Sequence, residues 1–198
     1  MSHDVILASG SASRRCLLAA AGVEAANVKP NVDEDAAKAS FRASGMRVSD
    51  QAMQLAELKA VKVSRNTGGL VIGGDQMLNL DGEALDKPRD MDEAASHLRR
   101  FSGKPHKLET AIVIAENGEP VWRFLTTPKL TVRPLTDDFI TTYLEAAGPD
   151  ILNTVGAYQL EGLGAQLFSR IEGDYFSILG LPLLPLLDYL RTRGVLNA

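Results

Sequence analysis

VILASGSASRRCLLAAAG, residues Val5 to Gly22, decides how the fold of this chain begins. Its apolar start, Val5–Ala8, is typical of a buried strand. Small residues follow at 9–12, and Ser13 to Ala21 is typical of a helix that stops at Gly22. A tight turn between a strand and a helix N-terminus presents backbone N–H groups and the positive end of the helix dipole. The stretch therefore predicts a place where an anion can bind.

Polar and basic side chains cluster at the start of that helix. Ser11 or Ser13 is suited to cap it, because a serine hydroxyl accepts a hydrogen bond from a first-turn N–H. Arg14 and Arg15 lie in the first turn, where positive charge opposes the helix dipole unless an anion lies between the two side chains. Two interpretations remain open: a phosphate site, or an ordinary strand–turn–helix with two solvated arginines.

The composition limits the classes of protein to which this chain can belong. Its 198 residues suffice for one domain with a substantial core, and we expect a single domain over residues 1–198. Hydrophobic residues make up 45% and charged residues 23%, which is the balance of a soluble globular protein. The formal net charge of −4 disfavours general binding to nucleic acid or to an anionic membrane surface, so any basic site must be local.

The sequence also carries expectations about localisation. The N-terminus has no basic region followed by a long apolar stretch, and the most apolar segment, 178–190, is interrupted by glycine and proline. Cys16 is the single cysteine, so it cannot form an internal disulfide, and we expect it to be a small buried residue of the first helix. We therefore expect a cytoplasmic protein that does not bind membranes.

Two charged clusters have more than one interpretation. Asp33, Glu34 and Asp35 precede a predicted helix, so they form either a capping cluster or a metal or base site. Lys59 lies on the apolar face of a long helix predicted from Val48 to Arg65. Its ammonium either extends outward to solvent or meets an anion in a cleft, because an unpaired buried ammonium is costly.

A glycine pair separates a predicted strand from a carboxylate. Leu70–Ile72 predicts a buried strand, and Gly73-Gly74-Asp75-Gln76 follows at its end. We expect Asp75 to project from the carboxyl end of that strand, which is the edge where open α/β sheets bind ligands. The alternative is a glycine-rich turn with a capping aspartate.

The remainder of the chain predicts a mixed sheet within an α/β domain. Strands and helices alternate early, whereas the middle carries antiparallel-looking strands joined by Asp81-Gly82 and Asn117-Gly118 turns. His106 has no second His or Cys near it and is expected to be a hydrogen-bonded structural residue. The glycine-rich stretch 156–164 predicts a functional loop, and 165–171 predicts a strand.

Together these segments resemble the Maf family of nucleoside triphosphate pyrophosphatases almost from end to end. The order and spacing of the motifs carry the resemblance, and the motifs are Leu7-Ala8-Ser9-Gly10-Ser11-Ala12-Ser13-Arg14-Arg15, Val32-Asp33-Glu34, Leu55-Ala56-Glu57-Leu58-Lys59-Ala60, Gly73-Gly74-Asp75, Asp86-Lys87-Pro88, Ser102-Gly103-Lys104-Pro105-His106 with Thr110, Gly156-Ala157-Tyr158, Glu161-Gly162 and Gly180-Leu181-Pro182-Leu183.

The resemblance implies a mixed, strongly bent sheet with helices packed around it, and two lobes that flank a deep cleft. It also implies a homodimer that hydrolyses a nucleoside triphosphate to the monophosphate and pyrophosphate with a divalent metal, Mg²⁺ or Mn²⁺. Such an enzyme is a hydrolase of acid anhydrides. Its role in nucleotide metabolism would be to remove modified or non-standard nucleotides before a polymerase uses them.

The resemblance further implies roles for individual residues. Asp75 is the catalytic base and, together with Glu34, holds the metal. Lys59 and Lys87 complete the catalytic group. The implied substrate-binding residues are Ser9, Ser11, Arg14, Arg15, Gln76 and Glu161.

Two of these residues carry the expected substrate preference. Gln76 and Glu161 resemble the 7-methyl-GTP subgroup, whereas the subgroup that prefers thymidine or uridine nucleotides has Thr and Gln there. A carboxylate accepts hydrogen bonds from the N1–H and amino group of guanine, which a pyrimidine dione does not offer in the same way. Ala12 and Ser13 depart from the family's first motif and assign no subgroup. The alternatives are an enzyme that accepts a broader set of nucleoside triphosphates, a dTTP- or UTP-preferring enzyme, and a nucleotide-binding regulator of septum formation without significant catalysis.

Overall fold

The chain alternates strands and helices in its first half and is richer in hairpins in its middle. A computed structural model describes residues 4–197. Its elements are β1 (Val5–Ala8), α1 (Ala12–Ala20), β2 (Ala25–Asn27), α2 (Glu34–Ala43), α3 (Val48–Ser64), β3 (Leu70–Leu80), β4 (Glu83–Leu85), α4 (Met91–Phe101), β5 (Pro105–Glu116), β6 (Glu119–Thr126), β7 (Lys129–Val132), α5 (Asp137–Ala147), two 3₁₀ turns (Pro149–Asn153 and Leu163–Leu167), β8 (Phe168–Glu172), α6 (Tyr175–Ile178) and α7 (Leu183–Thr192).

The eight strands of the described residues form one sheet in the order β2-β1-β3-β5-β7-β8, with β4 paired to β3 and β6 paired to β5. β1 runs parallel to β2 and to β3, and Ala8 lies opposite Gly73 in the second of these pairs. The β3/β4, β5/β6, β5/β7 and β7/β8 pairs are antiparallel. The predicted mixed α/β sheet is therefore confirmed.

Internal contacts divide the chain into two compact units. The first comprises residues 4–76, 110–126 and 174–197, and the second comprises residues 77–109 and 127–173. Among residues 4–197, no helix has the length and hydropathy that a membrane crossing requires. The expectation of a single domain over residues 1–198 stays a prediction.

The core of the first unit lies where its central strands meet two helices. Leu7 of β1, Ile72 of β3 and Ile112 of β5 are almost fully buried. Leu18 of α1 and Leu186 of α7 pack into the same cluster. Alternate residues of a strand share one face, and leucines three or four apart share one face of a helix, so the apolar pattern of the sequence assembles this core directly.

The prediction that the central strand ends at Ile72 is wrong. β3 continues without interruption to Leu80, so Asp75 lies in the middle of a long strand rather than at its carboxyl end. The glycines serve close packing instead of a turn. A Cβ atom on Gly73 would lie 2.3 Å from the carbonyl oxygen of Ala56 and 2.6 Å from the amide nitrogen of Ala60, both in α3. Glycine thus allows helix and strand to approach each other closely.

Two further expectations also differ from the structure. Cys16 is exposed, because Arg14 and Leu18, one helical turn apart, form the buried side of α1 and Cys16 lies on the opposite side. The strand expected at 165–171 begins only at Phe168, since residues 163–167 form a 3₁₀ turn. Gly164 is required in that turn, where a Cβ atom would lie 2.4 Å from the carbonyl oxygen of Gln159.

His106 has the structural role that the sequence predicted. Its side chain is buried in the second unit, and its Nε2 lies 2.8 Å from the hydroxyl of Tyr158. The rings of Phe101, Tyr158 and Phe168 pack around it. Burial lowers the pKa of His106 from 6.5 to about 4, so the imidazole is neutral at physiological pH.

Replacing Gly73 with alanine is expected to lower the free energy of unfolding by at least about 2 kcal/mol, because the new methyl group overlaps backbone atoms of α3 that cannot move independently. Urea denaturation measures the change. Gly68→Ala is the matched control, since a Cβ atom there meets nothing within 4 Å. A Gly73→Ala protein as stable as the Gly68→Ala protein would contradict this packing.

We expect the contribution of His106 to stability to fall as the pH falls from 6.5 towards 4. In this range the unfolded chain protonates the imidazole and the folded chain does not, so acid favours the unfolded state. The difference in unfolding free energy between wild type and His106→Gln should shrink by about 2–3 kcal/mol between pH 7.5 and 4.5. Lys107→Gln, at the exposed neighbouring position, should leave the wild-type pH profile unchanged. Parallel profiles for wild type and His106→Gln would show that the pKa of His106 is the same in the folded and the unfolded protein.

Candidate active site

The Lys59 ammonium is the centre of a charged cluster in the first unit. Its Nζ lies 2.7 Å from Oδ1 of Asp75 and 3.0 Å from Oε1 of Glu34. Lys59 is 6% exposed and Asp75 is 7% exposed, so this ion pair is withdrawn from water. The sequence left two interpretations open for Lys59, an ammonium extended to solvent or one that contacts an anion. The structure supports the second.

The acidic stretch before α2 contributes two different functions. Asp33 is the N-cap of α2, and its Oδ1 accepts a hydrogen bond from the backbone N–H of Ala36 at 3.0 Å. Glu34, the first residue of the helix, directs its carboxylate to Lys59. The capping interpretation is therefore correct for Asp33, whereas the metal or base role of Glu34 stays a prediction.

Arg14 is a second buried cation in the first unit. Its Nε donates to the carbonyl oxygen of Gly180 at 2.7 Å, and its NH1 donates to Oγ of Ser9 at 3.1 Å. Burial lowers the pKa of Arg14, whereas the negative charges of Asp75 and Glu34 act to raise that pKa. These carboxylates therefore help to keep the guanidinium charged in a poorly solvated place.

Gly74 makes the position of Arg14 possible. A Cβ atom on Gly74 would lie 3.1 Å from the Nε of Arg14 and 3.4 Å from its Cδ. The two adjacent glycines of β3 therefore make room for different elements. Gly73 allows the backbone of α3 to approach, and Gly74 allows the side chain of Arg14 to approach. The glycine pair therefore allows Lys59 of α3 and Arg14 of α1 to lie close to β3, the strand that carries Asp75.

The serines of the first turn are engaged in local hydrogen bonds. Ser9 Oγ accepts from the backbone N–H of Ser11 at 3.1 Å, in addition to Arg14. Ser11 is the N-cap of α1, and its Oγ accepts from the backbone N–H of Arg14 at 3.4 Å. Arg15 is exposed and lines a different groove, together with Glu24, because it follows Arg14 by about 100° around the helix.

A cavity of about 240 Å³ adjoins the Lys59 cluster. Ser9, Glu34 and Lys59 line it together with the small residue Gly10 and with Lys29, whose side chain is exposed. Lys29 is not among the site residues predicted from the sequence. It could have been found as a basic residue between β2 and the acidic start of α2, a few positions before Glu34 in the chain.

Gln76 holds the segment around α6. Its Nε2 lies 2.8 Å from Oγ1 of Thr110, 3.0 Å from the carbonyl oxygen of Ser177 and 3.1 Å from that of Ile178. A side-chain amide has two N–H donors, and these contacts use both. The chain turns at Gly180, two residues after Ile178. The carbonyl oxygen of Gly180 accepts the hydrogen bond from Arg14. Only the Oε1 of Gln76 remains for another partner, as a hydrogen-bond acceptor.

Lys87 and Glu161, the two other predicted site residues, belong to the second unit. Both are exposed at the surface of that unit. Their assigned roles, like those of Ser11 and Arg15 in substrate binding, stay predictions.

Glu34 and Asp75 can supply two oxygen ligands to a metal, since both contact one nitrogen atom of Lys59. Within residues 4–197, no group of three or more His, Cys, Asp or Glu side chains is arranged to hold a metal ion. A site with two carboxylates fits Mg²⁺, which takes its other ligands from phosphate oxygens and water. It does not fit a structural zinc site, which needs four protein ligands.

A family model described as "Maf-like protein" matches residues 4–193 of this sequence. The chain belongs to this family. It is 67% identical over 196 residues to the nucleoside triphosphate pyrophosphatase of Hyphomonas neptunium, covering 99% of both chains. It is also 51% identical over 195 residues to the 7-methyl-GTP pyrophosphatase of Rhizobium meliloti, covering 98% of both chains. Identity to the nucleoside triphosphate pyrophosphatase of Caulobacter vibrioides is 50% over 193 residues, which cover 98% of this chain and 97% of that one.

Gln76→Met is expected to destabilise this Maf-like chain by about 1–3 kcal/mol, because the buried Thr110 hydroxyl and Ser177 carbonyl lose their amide donor. The same substitution at Gln54, which is exposed on α3, should change stability by less than about 0.5 kcal/mol. Urea denaturation of both variants makes the comparison. Equal stabilities would show that Gln76 does not hold the α6 segment.

Proposed function

We propose that this Maf-like chain hydrolyses a nucleoside triphosphate to the nucleoside monophosphate and pyrophosphate. The observation that carries the proposal is the Lys59 ammonium bound to Asp75 and Glu34, with buried Arg14 close by. Cations and carboxylates in one place suit a triphosphate together with a divalent metal. The names of the Hyphomonas and Caulobacter relatives support the same reaction.

In the proposed reaction, a water oxygen attacks the α-phosphorus of the nucleotide. A bond forms between them while the bond from the α-phosphorus to the oxygen bridging to the β-phosphorus breaks, and pyrophosphate leaves with the electron pair of that bond. Asp75 accepts the proton that the attacking water loses. It is suited to this role because its carboxylate lies in the same charged cluster as Lys59 and is fixed within β3.

The remaining residues of the proposed site bind and orient phosphate groups. Arg14 and Lys59 offset the negative charge of the triphosphate, and the same role is proposed for Lys87. The backbone N–H groups of the turn before α1 supply neutral donors. A Mg²⁺ ion, or Mn²⁺ in its place, would be held by Glu34 and Asp75 and would polarise the phosphoryl oxygens.

We also propose a preference for 7-methyl-GTP over the pyrimidine nucleotides dTTP and UTP. The Rhizobium relative carries the name 7-methyl-GTP pyrophosphatase, and so does a Mesorhizobium japonicum protein that is 46% identical over 198 residues. The chemistry agrees, because Glu161 accepts hydrogen bonds only and Gln76 has only its Oε1 left to accept one. Hydrogen-bond acceptors suit the donor edge of a guanine base.

The proposed setting is that of a cytoplasmic homodimer that removes modified nucleotides before a polymerase uses them. The family resemblance supports the dimer. The single, exposed cysteine supports a reducing compartment, because the chain contains no partner for a disulfide.

Pyrophosphate release by the purified protein with Mg²⁺ tests the proposed reaction. We expect one pyrophosphate per nucleoside monophosphate, and loss of turnover when EDTA removes the metal. A panel of 7-methyl-GTP, GTP, ITP, CTP, UTP and dTTP tests the preference, and 7-methyl-GTP should have the highest kcat/KM. Preference for dTTP or UTP would overturn the guanine assignment and leave the reaction class intact.

Asp75→Asn should reduce kcat by about 10²–10⁴-fold, since an amide cannot accept the proton of the attacking water. Asp188→Asn removes the same charge at an exposed position of α7 and should retain wild-type activity. Normal turnover by Asp75→Asn would show that Asp75 is not the base. Nucleotide binding by wild type without any pyrophosphate release would instead favour a regulatory protein.

A further inference from the structure

The Lys59 ammonium holds one oxygen of each carboxylate that would bind a metal. Its Nζ is within 3.0 Å of both Asp75 Oδ1 and Glu34 Oε1. Asp75 is buried on β3, and its Oδ1 accepts a hydrogen bond from the Lys59 ammonium. A divalent cation that uses the same oxygens must therefore compete with the ammonium.

The charges of the cluster are balanced as the protein stands. Arg14 and Lys59 contribute two positive charges, and Glu34 and Asp75 contribute two negative charges. A divalent cation added alone would leave an excess of positive charge in a place with little solvent. A polyphosphate added with the cation would supply the missing negative charge.

We propose that Lys59 holds the Glu34 and Asp75 carboxylates until a phosphate group draws its ammonium away, so that a divalent metal binds with the polyphosphate and not before it. The inference rests on the proposed function, because it assigns an order of binding to the same site. Lys59 thus has two successive partners: the carboxylates in the free protein and a phosphate oxygen in the complex.

The surroundings of Lys59 allow this exchange of partners. The cavity of about 240 Å³ is lined by Lys59 and by Ser9 and Gly10 of the turn before α1, so a phosphate there lies within reach of the flexible lysine side chain. The side chain of Glu34 is 40% exposed, so this carboxylate can meet an incoming ion from solvent. Asp75 stays fixed within β3.

Mn²⁺ binding without nucleotide or pyrophosphate is the decisive measurement. Electron paramagnetic resonance of free Mn²⁺ gives the dissociation constant for wild type, Lys59→Met, Lys59→Arg and the control Lys62→Met. Lys62→Met removes the same charge from an exposed position of α3 that does not contact Asp75. We expect Lys59→Met to bind Mn²⁺ at least tenfold more tightly than wild type, and both other variants to remain within twofold of wild type.

Equal Mn²⁺ affinity for wild type and Lys59→Met would overturn the proposal, and so would equal tightening by Lys62→Met. Far-ultraviolet circular dichroism establishes that each variant is folded. No turnover enters this measurement, so failure of the proposed reaction would appear only in the pyrophosphate-release assay and is distinguishable from failure of this inference.

Crystals of wild type soaked in MnCl₂, with and without pyrophosphate, give a second test that needs no variant. The anomalous signal of manganese should appear at Glu34 and Asp75 only with pyrophosphate, and the Lys59 Nζ should then contact a phosphate oxygen. Manganese on both carboxylates without pyrophosphate would overturn the proposal. So would a complex in which Lys59 still contacts both carboxylates.

Discussion

A buried lysine needs an oppositely charged partner, and Lys59 has two, Asp75 and Glu34. The arrangement of α2, α3 and β3 in the first unit follows from these two ion pairs. Removing one partner of a buried ion pair typically costs about 3–5 kcal/mol, because the remaining charge is left without compensation. Helix α3 must therefore lie close enough to β3 for Lys59 to contact Asp75, and α2 must start where Glu34 reaches the same ammonium. Gly73 allows the first approach, since any side chain there would overlap the backbone of α3. The N-cap at Asp33 fixes the second by setting where α2 begins.

The second cation of the unit, Arg14, is held by a different set of contacts. Its guanidinium binds the Gly180 carbonyl and the Ser9 hydroxyl rather than a carboxylate, although Asp75 and Glu34 still act on its charge from nearby. The segment with Gly180 is fixed in turn by Gln76. Structural contacts thus leave the arginine charged and in place, which is the state in which a guanidinium binds phosphate strongly. Pre-organisation of this kind lowers the entropy lost when an anionic ligand binds.

Membership of the Maf-like family and the charged cluster support one another because they rest on different observations. The family match covers residues 4–193 as a sequence, whereas the cluster is a set of distances between side chains from α1, α2, α3 and β3. The proposed pyrophosphatase reaction needs both kinds of support. A family with this sequence pattern supplies the reaction class, and the geometry brings together the residues that we propose as base, phosphate-binding cations and metal-binding carboxylates. It also raises the question of how a metal reaches carboxylates that an ammonium already holds.

The sequence by itself determined the alternation of strands and helices and the strand–turn–helix at the start, because these depend on local periodicity and capping. For Glu34, Lys59 and Asp75 it left alternatives open, and only the family resemblance implied their roles. It did not determine why two glycines precede Asp75. A glycine pair is equally suited to a turn and to close packing, and only the position of α3 distinguishes these, so the strand was expected to end eight residues too early. Sequence likewise left the partner of Lys59 open, since Glu34 and Asp75 are 25 and 16 positions away and no local rule joins them. Tertiary structure decided both, because charges distant in sequence can compensate one another only after folding has brought them together.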